Sequence, residues 1–228
     1  AVSAQLDPAA KPLAGKRAVV TSGPTYEPID PVRYIANRSS GKQGHAIAAA
    51  LAAAGAEVTL VTGPTREADP VGVTVHHIET ARQMLAGVEA ALPADIAIFA
   101  AAVADWRVAE EATQKLKKNG SGDIPSLAMT ENPDILKTVS GLGGKRPALV
   151  IGFAAETENV IPHATEKRAR KGCDWILAND VSPATGTFGG DANTIHLITG
   201  DGAEDWPTLT KKEVAVKLAA RITEHFTA

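Results

Sequence analysis

Six short and almost continuous apolar runs recur along the chain, and they constrain its fold more than any other feature. They are AVVTSG (18–23), EVTLVTG (57–63), VTVHHIE (73–79), DIAIFAAA (95–102), ALVIGFAAE (148–156) and DWILAN (174–179). A strand with one solvated face alternates apolar and polar residues, whereas a strand covered on both faces is apolar throughout. The runs therefore predict the strands of a parallel sheet with helices on both sides.

Helical patterns separate these runs. They are HAIAAALAAAG (45–55), TARQMLAGVEAAL (80–92), NPDILKTVSGL (132–142) and TENVIPHATEKRARKG (157–172). Three of the helices are predicted to begin at residues that favour the N-cap position, namely Thr80, Asn132 and Thr157. Gly55 and Gly172 stand where glycine commonly ends a helix. The alternation predicts an α/β fold with a doubly wound, mostly parallel, Rossmann-like sheet.

The last part of the chain predicts a C-terminal β-hairpin extension. An alternating run, NTIHLITG (193–200), is followed by an Asp-Gly pair that favours a tight turn. Pro207 confines the second strand to a sheet edge, and Thr210 is the expected start of a closing helix. Residues 1–15 lack periodicity and are interpreted as a linker. The domain is then expected at 16–228, with 181–209 as an irregular, hairpin-containing extension.

Charge and cysteine content exclude several classes of protein. The 228 residues carry a formal net charge of −3, so no overall positive field favours nucleic acid as a partner. The single cysteine, Cys173, excludes an internal disulfide and a cysteine zinc cluster. No run approaches the roughly 20 apolar residues of a membrane span. We expect a cytoplasmic protein without membrane or nucleic-acid partners.

The polar segment SGPTYEPIDPVRYIANRSSGKQG (22–44) is too long for a simple strand-to-helix connection, which usually takes roughly 2–6 residues. It reads as a long loop that ends at a helix N-terminus, where free N–H groups and the helix dipole favour anions. It also carries the cations Arg33, Arg38 and Lys42. Ser39, Ser40 and Gly41, at the helix start, are therefore predicted to bind phosphate or carboxylate.

Further polar clusters follow the later strands. Asp105, in AAVADWRV, fits a ribose contact or a magnesium ligand, or equally a turn residue. The lysines of QKLKKNGSGD (114–123) fit either a solvated surface or a mobile loop that closes over a triphosphate. Lys167 and Lys171 lie one helical turn apart and could reach the same ligand as Phe153.

Standard nucleotide motifs are absent from the sequence. The stretch 36–43 fails the Walker pattern at its first and last positions, and no G-x-G-x-x-G follows a strand. The histidines lack the spacing of metal ligands. Two alternatives nevertheless stay open: an NAD(P)-dependent Rossmann oxidoreductase, which would need a phosphate-binding turn directly after the first strand, and a non-catalytic nucleotide-binding module.

Taken in order, the blocks SGPTYEPIDPVRYIANRSSGKQG, AAVADWR, KLKK, NPDIL, GFAAET, KRARK and ANDVS resemble the phosphopantothenoylcysteine synthetases, in particular the CTP-using bacterial form. The resemblance implies a ligase of coenzyme A biosynthesis. Such an enzyme activates 4′-phosphopantothenate with CTP and Mg²⁺ as an acyl cytidylate and couples it to L-cysteine. It also implies a homodimer, with partner contacts near 31–35 and 193–209. In many bacteria a flavin-dependent decarboxylase precedes the synthetase, so an N-terminal decarboxylase is expected, with no flavin bound by this domain.

The resemblance also implies roles for individual residues. Asn37 would contact the acyl-cytidylate intermediate, and Lys115 would act on the phosphates during its formation. Asp105 would also hold the metal ion. Nucleotide contacts are implied for Phe99, Ala100, Ala101, Asp105, Pro133, Asp134, Ile135, Leu136, Phe153, Lys167 and Lys171.

Overall fold

The structure is a computed structural model that describes residues 11–117, 126–181 and 190–227. Its helices are α1 (Lys42–Ala53), α2 (Ala81–Ala90), α3 (Ile135–Ser140), α4 (Val160–Lys171) and α5 (Lys211–Thr227), with a 3₁₀ turn at Gly143–Lys145. Its strands are β1 (Arg17–Ser22), β2 (Tyr26–Asp30), β3 (Arg33–Ala36), β4 (Glu57–Thr62), β5 (Thr74–His77), β6 (Ile96–Phe99), β7 (Trp106–Val108), β8 (Met129–Glu131), β9 (Leu149–Glu156), β10 (Trp175–Asp180), β11 (Ala192–Asn193), β12 (His196–Ile198), β13 (Ala203–Asp205) and β14 (Leu209–Thr210).

The central sheet confirms the predicted fold class. Its order is β13-β12-β10-β9-β6-β1-β4-β5, and the six strands from β10 to β5 are parallel. All six come from the six apolar runs. Their order reverses between β1 and β6, as in the doubly wound Rossmann arrangement. The carboxyl ends of β1 and β6 therefore flank the crevice where such folds bind ligands.

Alternate residues of each strand face two separate layers of helices. Val20 packs in a cluster with Leu51 of α1 and Leu218 of α5. Its neighbour Val19 faces the other way and packs in a cluster with Met84 of α2. Burial on both faces explains why these strands are apolar throughout. No helix in the described ranges is both long and apolar enough to cross a membrane.

The predicted ends of two helices are confirmed, as is one predicted start. The hydroxyl of Thr80 accepts from the Gln83 N–H, and the Gln83 side chain accepts in return from the Thr80 N–H, which forms a capping box. Gly55 and Gly172, which follow α1 and α4, have φ of 99° and 69°. These left-handed conformations favour glycine over any residue with a Cβ.

The predicted caps Asn132 and Thr157 are wrong, because both helices begin later. Asn132 lies just after β8, and its amide donates to Ala104 O (2.8 Å) instead of capping a helix. The carboxylate of Asp134 accepts from the Lys137 N–H and caps α3. In α4 the N-cap is Asn159, a non-glycine residue with positive φ (46°).

The polar segment 22–44 is not a loop throughout, because β2 and β3 pair as an antiparallel hairpin within it. Tyr26 and Tyr34 stack across this β2–β3 hairpin with ring centroids 4.1 Å apart. A second small antiparallel pair, β7–β8, includes the end of the AAVADWRV block. Neither pair has enough apolar periodicity to be predicted from the sequence.

The predicted C-terminal hairpin is confirmed. Strands β12 and β13 pair antiparallel, and β12 extends the main sheet beside β10. Strand β13 is the sheet edge and ends before Pro207. Thr210 and Glu213 cap α5 reciprocally, as the sequence predicts. At the other end of the chain, Leu13 lies in the segment predicted as a linker but is fully buried, with its N–H donating to Ala54 O (2.9 Å).

Helix α1 packs so closely on β1 that Gly44 has no room for a side chain. A Cβ there would overlap Ser22 Oγ and Cβ and lie 3.0 Å from its Cα. Alanine normally favours a helix over glycine by about 1 kcal/mol. We nevertheless expect Gly44→Ala to lower the free energy of unfolding by about 1–3 kcal/mol, because the overlap forces the helix away from the strand.

Urea denaturation measures this effect. Gly144→Ala is the matched control, since a Cβ there meets nothing within 4 Å. Equal stability of the two variants would contradict the packing argument.

Candidate active site

A cleft of about 920 Å³ lies at the carboxyl ends of the parallel strands. Thr21 at the end of β1, Phe99 at the end of β6 and Asn179 near the end of β10 contribute to its lining. It therefore occupies the crevice that the strand order predicts. Of the residues predicted for the site, the cleft brings together Asn37, Ser39, Ser40, Gly41, Phe99, Ala100, Ala101, Asp105, Pro133, Asp134, Ile135, Leu136, Phe153, Lys167 and Lys171.

One wall of the cleft is the first turn of α1. Its N-cap is Gly41 (φ 77°), which has no side chain to accept from the free N–H groups of the helix. A Cβ at Gly41 would also approach Thr65 Cγ2 to 2.8 Å, so both conformation and space require glycine. The first turn therefore presents N–H groups that no N-cap side chain binds, although the Lys42 N–H reaches Ser40 Oγ (3.5 Å), together with the positive end of the helix dipole.

His45 contacts the residues that form this turn. Its ring is buried, with Nδ1 3.0 Å from Ser22 Oγ and 3.1 Å from Gly41 O. Ser22 Oγ donates to the same carbonyl (2.8 Å). With the Ser22 hydroxyl proton directed at this carbonyl, a proton on Nδ1 is the arrangement that satisfies both contacts of the ring. No sequence pattern indicates this role, because His45 has no partner at metal-ligand spacing and its contact with Ser22 joins residues 23 positions apart.

A second wall comes from α3 and α4, where Lys171 forms an ion pair with Asp134. Burial is the largest single effect and favours the neutral acid, but the hydrogen bonds from Lys171 and the Lys137 N–H, with the charges of both lysines, together lower the pKa of Asp134. Burial lowers the pKa of Lys167, and the carboxylate of Glu156 opposes this only in part. These two lysines give this wall its positive charge.

Asn37 and Asp105 line the cleft and belong to irregular segments that follow β3 and β6. The Asn37 amide donates to Val103 O (2.9 Å), which ties the end of the β2–β3 hairpin to the segment after β6. The carbonyl of Asp105 accepts from the Asn132 N–H (2.9 Å), and its carboxylate is exposed. The described residues hold no group of three or more His, Cys, Asp or Glu side chains suited to a metal ion.

Lys115 is exposed and does not line the cleft. Its neighbour Leu116 is attached to the β2–β3 hairpin, because the Leu116 N–H donates to Asp30 Oδ2 (3.1 Å) and Arg33 Nη2 donates to Leu116 O (2.9 Å). Arg33 is therefore engaged with Asp30 and Leu116, whereas Arg38 lines the cleft. Lys118, in the same lysine cluster, lies outside the described residues.

Sequence reasoning missed several other residues that line the cleft. Asn179 could have been found, since it lies at the carboxyl end of the last parallel strand, the edge at which the predicted residues lie. The others carry no local signal, because distant segments bring them together. The missed residues are Thr21, Gln43, Asn132, Asn179, Asn193 and Lys211.

Comparison with known proteins assigns the chain to a family. Residues 13–226 match the DNA/pantothenate metabolism flavoprotein C-terminal domain. The chain belongs to that family. A family relative from Escherichia coli (strain K12), named Coenzyme A biosynthesis bifunctional protein CoaBC, is 48% identical over 202 residues, which are 88% of this chain and 49% of that protein. The protein of the same name from Mycobacterium bovis (strain ATCC BAA-935 / AF2122/97) is 45% identical over 202 residues, covering 84% and 48%.

The family's solved structures agree with the fold described above. A crystal structure of the C-terminal domain of a Coenzyme A biosynthesis bifunctional protein CoaBC has a TM-score of 0.79 and 38% identity, covering 96% of this chain and 99% of that one. These matches confirm the resemblance found in the sequence. The chain spans about half the length of the curated relatives it matches.

The carboxylate of Asp30 is buried and joins the β2–β3 hairpin to residue 116, with five donors from three residues. The hydrogen bond from Arg33 holds the pKa of Asp30 far below its usual range. A carboxyl group whose pKa is lower in the folded than in the unfolded protein stabilises the fold at pH values above its unfolded pKa of about 4. This stabilisation is lost as the pH falls toward the pKa of the folded state. We expect the stability lost in Asp30→Asn to be constant from about pH 8 to 5 and to shrink below about pH 4.

Urea midpoints of wild type and Asp30→Asn across this pH range test the expectation. Asp201→Asn serves as the control, since the Asp201 side chain is exposed. A stability difference that does not change down to the lowest pH at which both proteins fold would argue against the network.

His45 offers a separate test of the turn at Gly41. We expect His45→Ala to lower the free energy of unfolding by about 1–3 kcal/mol, because it removes a buried ring that packs and hydrogen-bonds against Ser22 and Gly41. His45→Asn should lose less, since its amide can replace the Nδ1–H donor. Equal losses in urea denaturation would show that packing, not the hydrogen bond, is what matters.

Proposed function

We propose that the chain is a phosphopantothenate–cysteine ligase domain of coenzyme A biosynthesis. The observation that carries the proposal is that one cleft at the sheet crevice gathers fifteen of the sixteen site residues predicted from the sequence, all except Lys115. The names of the bifunctional relatives support the same pathway. Because the chain spans about half of those relatives, the activity, substrates and partners of the whole protein are also part of this proposal.

The nucleotide is proposed to be CTP. Its recognition would use the start of α3, from Pro133 to Leu136, together with Phe153 and the lysines of α4. The uncapped first turn of α1 would receive phosphate oxygens. Both walls are positive, which suits a triphosphate.

The proposed reaction has two steps. A carboxylate oxygen of 4′-phosphopantothenate attacks the α-phosphorus of CTP, and pyrophosphate leaves with the electron pair of the broken P–O bond. The amine of L-cysteine then attacks the acyl carbon, CMP leaves, and the new amide nitrogen loses a proton. Charge accumulates on phosphate oxygens in the first step, so fixed donors and cations in the cleft would lower its barrier.

Asn37 and Lys115 are proposed to act by electrostatics. The Asn37 side chain lies at the cleft and would contact the acyl cytidylate. Lys115 would stabilise the phosphates while the cytidylate forms. Lys115 does not line the cleft in this structure. Its proposed role therefore requires residues near 115 to move toward the cleft when nucleotide binds.

The residues at the cleft fit a magnesium ion held together with nucleotide. Mg²⁺ in such sites usually takes one or two carboxylates plus substrate phosphates, and Asp105 supplies one exposed carboxylate at the cleft. The ion would neutralise phosphate charge. We propose Asp105 as its protein ligand.

The two alternatives have less support. An NAD(P)-dependent oxidoreductase needs a glycine turn from β1 directly into a helix, whereas here the β2–β3 hairpin intervenes. A non-catalytic module would be expected to lack Asn37 or Lys115, and both are present.

A homodimer is also proposed. Four large apolar side chains are exposed on the two small antiparallel strand pairs. Val32 and Tyr34 lie on or beside β2–β3, and Trp106 and Met129 lie on β7–β8. Exposed apolar residues concentrated in this way favour a protein interface. This supports the partner contact expected near 31–35; for 193–209 the structure adds no exposed patch of this kind.

Two further expectations complete the proposal. The other half of the full protein is proposed to be a flavin-dependent decarboxylase, and the protein is proposed to be cytoplasmic.

The two partial reactions separate the proposed roles. We expect Lys115→Gln to slow pyrophosphate release by about 10²–10³-fold, because it removes a charge that acts while the cytidylate forms. Asn37→Asp should mainly slow the later release of CMP. Both products are measured with 4′-phosphopantothenate, CTP, Mg²⁺ and L-cysteine.

Lys145→Gln, at an exposed site away from the cleft, is the matched control. Equal loss of both partial reactions in each variant would reject this division of roles. Thermal stabilisation of the wild type by NADH but not by CTP or ATP would reject the ligase itself.

A further inference from the structure

Two lysines that line the cleft have no part in the function proposed above. Lys42 is the first residue of α1, and Lys211 is the first residue of α5. Both helices pack on the same face of the sheet. The lysines of α4 approach from the opposite face, since α4 packs in the other core cluster. Lys42 and Lys211 thus form a second cationic wall, separate from Lys167 and Lys171.

The fold fixes the relative position of these two lysines. Gln43, next to Lys42, donates from its side chain to the carbonyl of Lys211 (3.0 Å). The N–H of Lys211 donates to Asp191 O (2.8 Å). The start of α1 and the start of α5 are therefore connected by hydrogen bonds, although 168 residues separate Gln43 from Lys211.

The carboxylates of Asp191 and Glu67 both act on these lysines, but within the part of the chain that the structure describes only Lys42 has a direct partner. Lys42 Nζ lies 2.6 Å from Asp191 Oδ1, but the Asp191 side chain is 84% exposed, so water already screens much of its charge. Lys211 is half-buried, and within residues 11–117, 126–181 and 190–227 its ammonium has neither an ion pair nor a hydrogen bond. Burial lowers the pKa of Lys211, and the neighbouring charge of Lys42 lowers it further.

A partly desolvated ammonium without an acceptor is costly, and an anion that binds beside it removes that cost. The nearby uncapped first turn of α1 favours the same sign of ligand. Lys42 can exchange its solvated partner Asp191 for a ligand oxygen, so both ammonium groups are available to one anion.

We propose that Lys42 and Lys211 form a subsite for a phosphate group that is distinct from the nucleotide contacts of α3 and α4. The inference rests on the proposed function, which supplies two sources of such a group: the terminal phosphates of the nucleoside triphosphate and the phosphate monoester of the acid substrate. In either case the lysines bind and orient the ligand and do not take part in bond making.

Isothermal titration of paired ligands separates these sources. CTP is compared with CMP, and 4′-phosphopantothenate with pantothenate, on wild type, Lys211→Gln and the control Lys212→Gln. Lys212 is the exposed neighbour of Lys211 and does not line the cleft. We expect Lys211→Gln to weaken one phosphate-bearing ligand by about tenfold or more, the size of a lost charge-assisted hydrogen bond, and to leave CMP and pantothenate unchanged. The ligand that is weakened identifies the source.

Equal affinities of Lys211→Gln and Lys212→Gln for both phosphate-bearing ligands, with wild type binding CTP, would overturn the subsite and leave the proposed function intact. Failure of wild type to bind CTP and 4′-phosphopantothenate would overturn both.

Asp191→Asn tests the exchange of partners by Lys42. Its backbone carbonyl can still accept from Lys211, but its side chain no longer competes for the Lys42 ammonium. We expect the ligand that Lys211→Gln weakens to bind several-fold more tightly to Asp191→Asn. The affinity for the matching compound without that phosphate, CMP or pantothenate, should not change. Unchanged or weaker binding of that ligand by a folded variant would overturn the exchange.

Discussion

The close contact between the chain segments that leave β1 and β4 determines how the rest of the cleft is built. Gly63 follows β4, and a Cβ there would overlap the carbonyl oxygen of Pro24. Gly23 adopts a left-handed conformation (φ 72°), and the Gly63 N–H donates to Ser22 O (3.0 Å). The chain after β1 can therefore pass close to the end of β4. Pro24 then forms a parallel β-bridge with Ala102, and the chain continues into the β2–β3 hairpin. A larger residue at position 63 would block that path.

Two lysines of the cleft, Lys171 and Lys42, pair with carboxylates of residues that also bind the start of a helix. Asp134 both caps α3 and pairs with Lys171. Asp191 both accepts a backbone N–H at the start of α5 and pairs with Lys42. These acids reduce repulsion between the lysines in the free protein and stabilise the helix starts. An anionic ligand must compete with them, so binding strength reflects the difference between two sets of ion pairs and not the total positive charge.

The sequence predicted the parts of the fold that depend on periodic burial and local capping. Strands covered on both faces must be apolar throughout, and doubly wound folds bind ligands beyond the carboxyl ends of such strands, so Asp105, which follows the fourth apolar run, could be connected with a ligand site, whereas Phe99 was implied only by the family resemblance. The β2–β3 hairpin depends instead on single pair contacts, the stacking of Tyr26 on Tyr34 and the ion pair of Asp30 with Arg33, which leave no periodic pattern. Contacts between distant segments, such as that between Gln43 and Lys211, have no local signal at all.

Helix α1 connects two functionally different ends of the domain. Its first turn lies at the cleft, whereas the carbonyl of Ala54, just beyond its last turn, receives the N–H of Leu13. At 1.5 Å per residue its twelve residues place these points about 18 Å apart. The segment at Leu13 therefore packs on the side of the domain remote from the cleft and does not obstruct the path of small molecules into it.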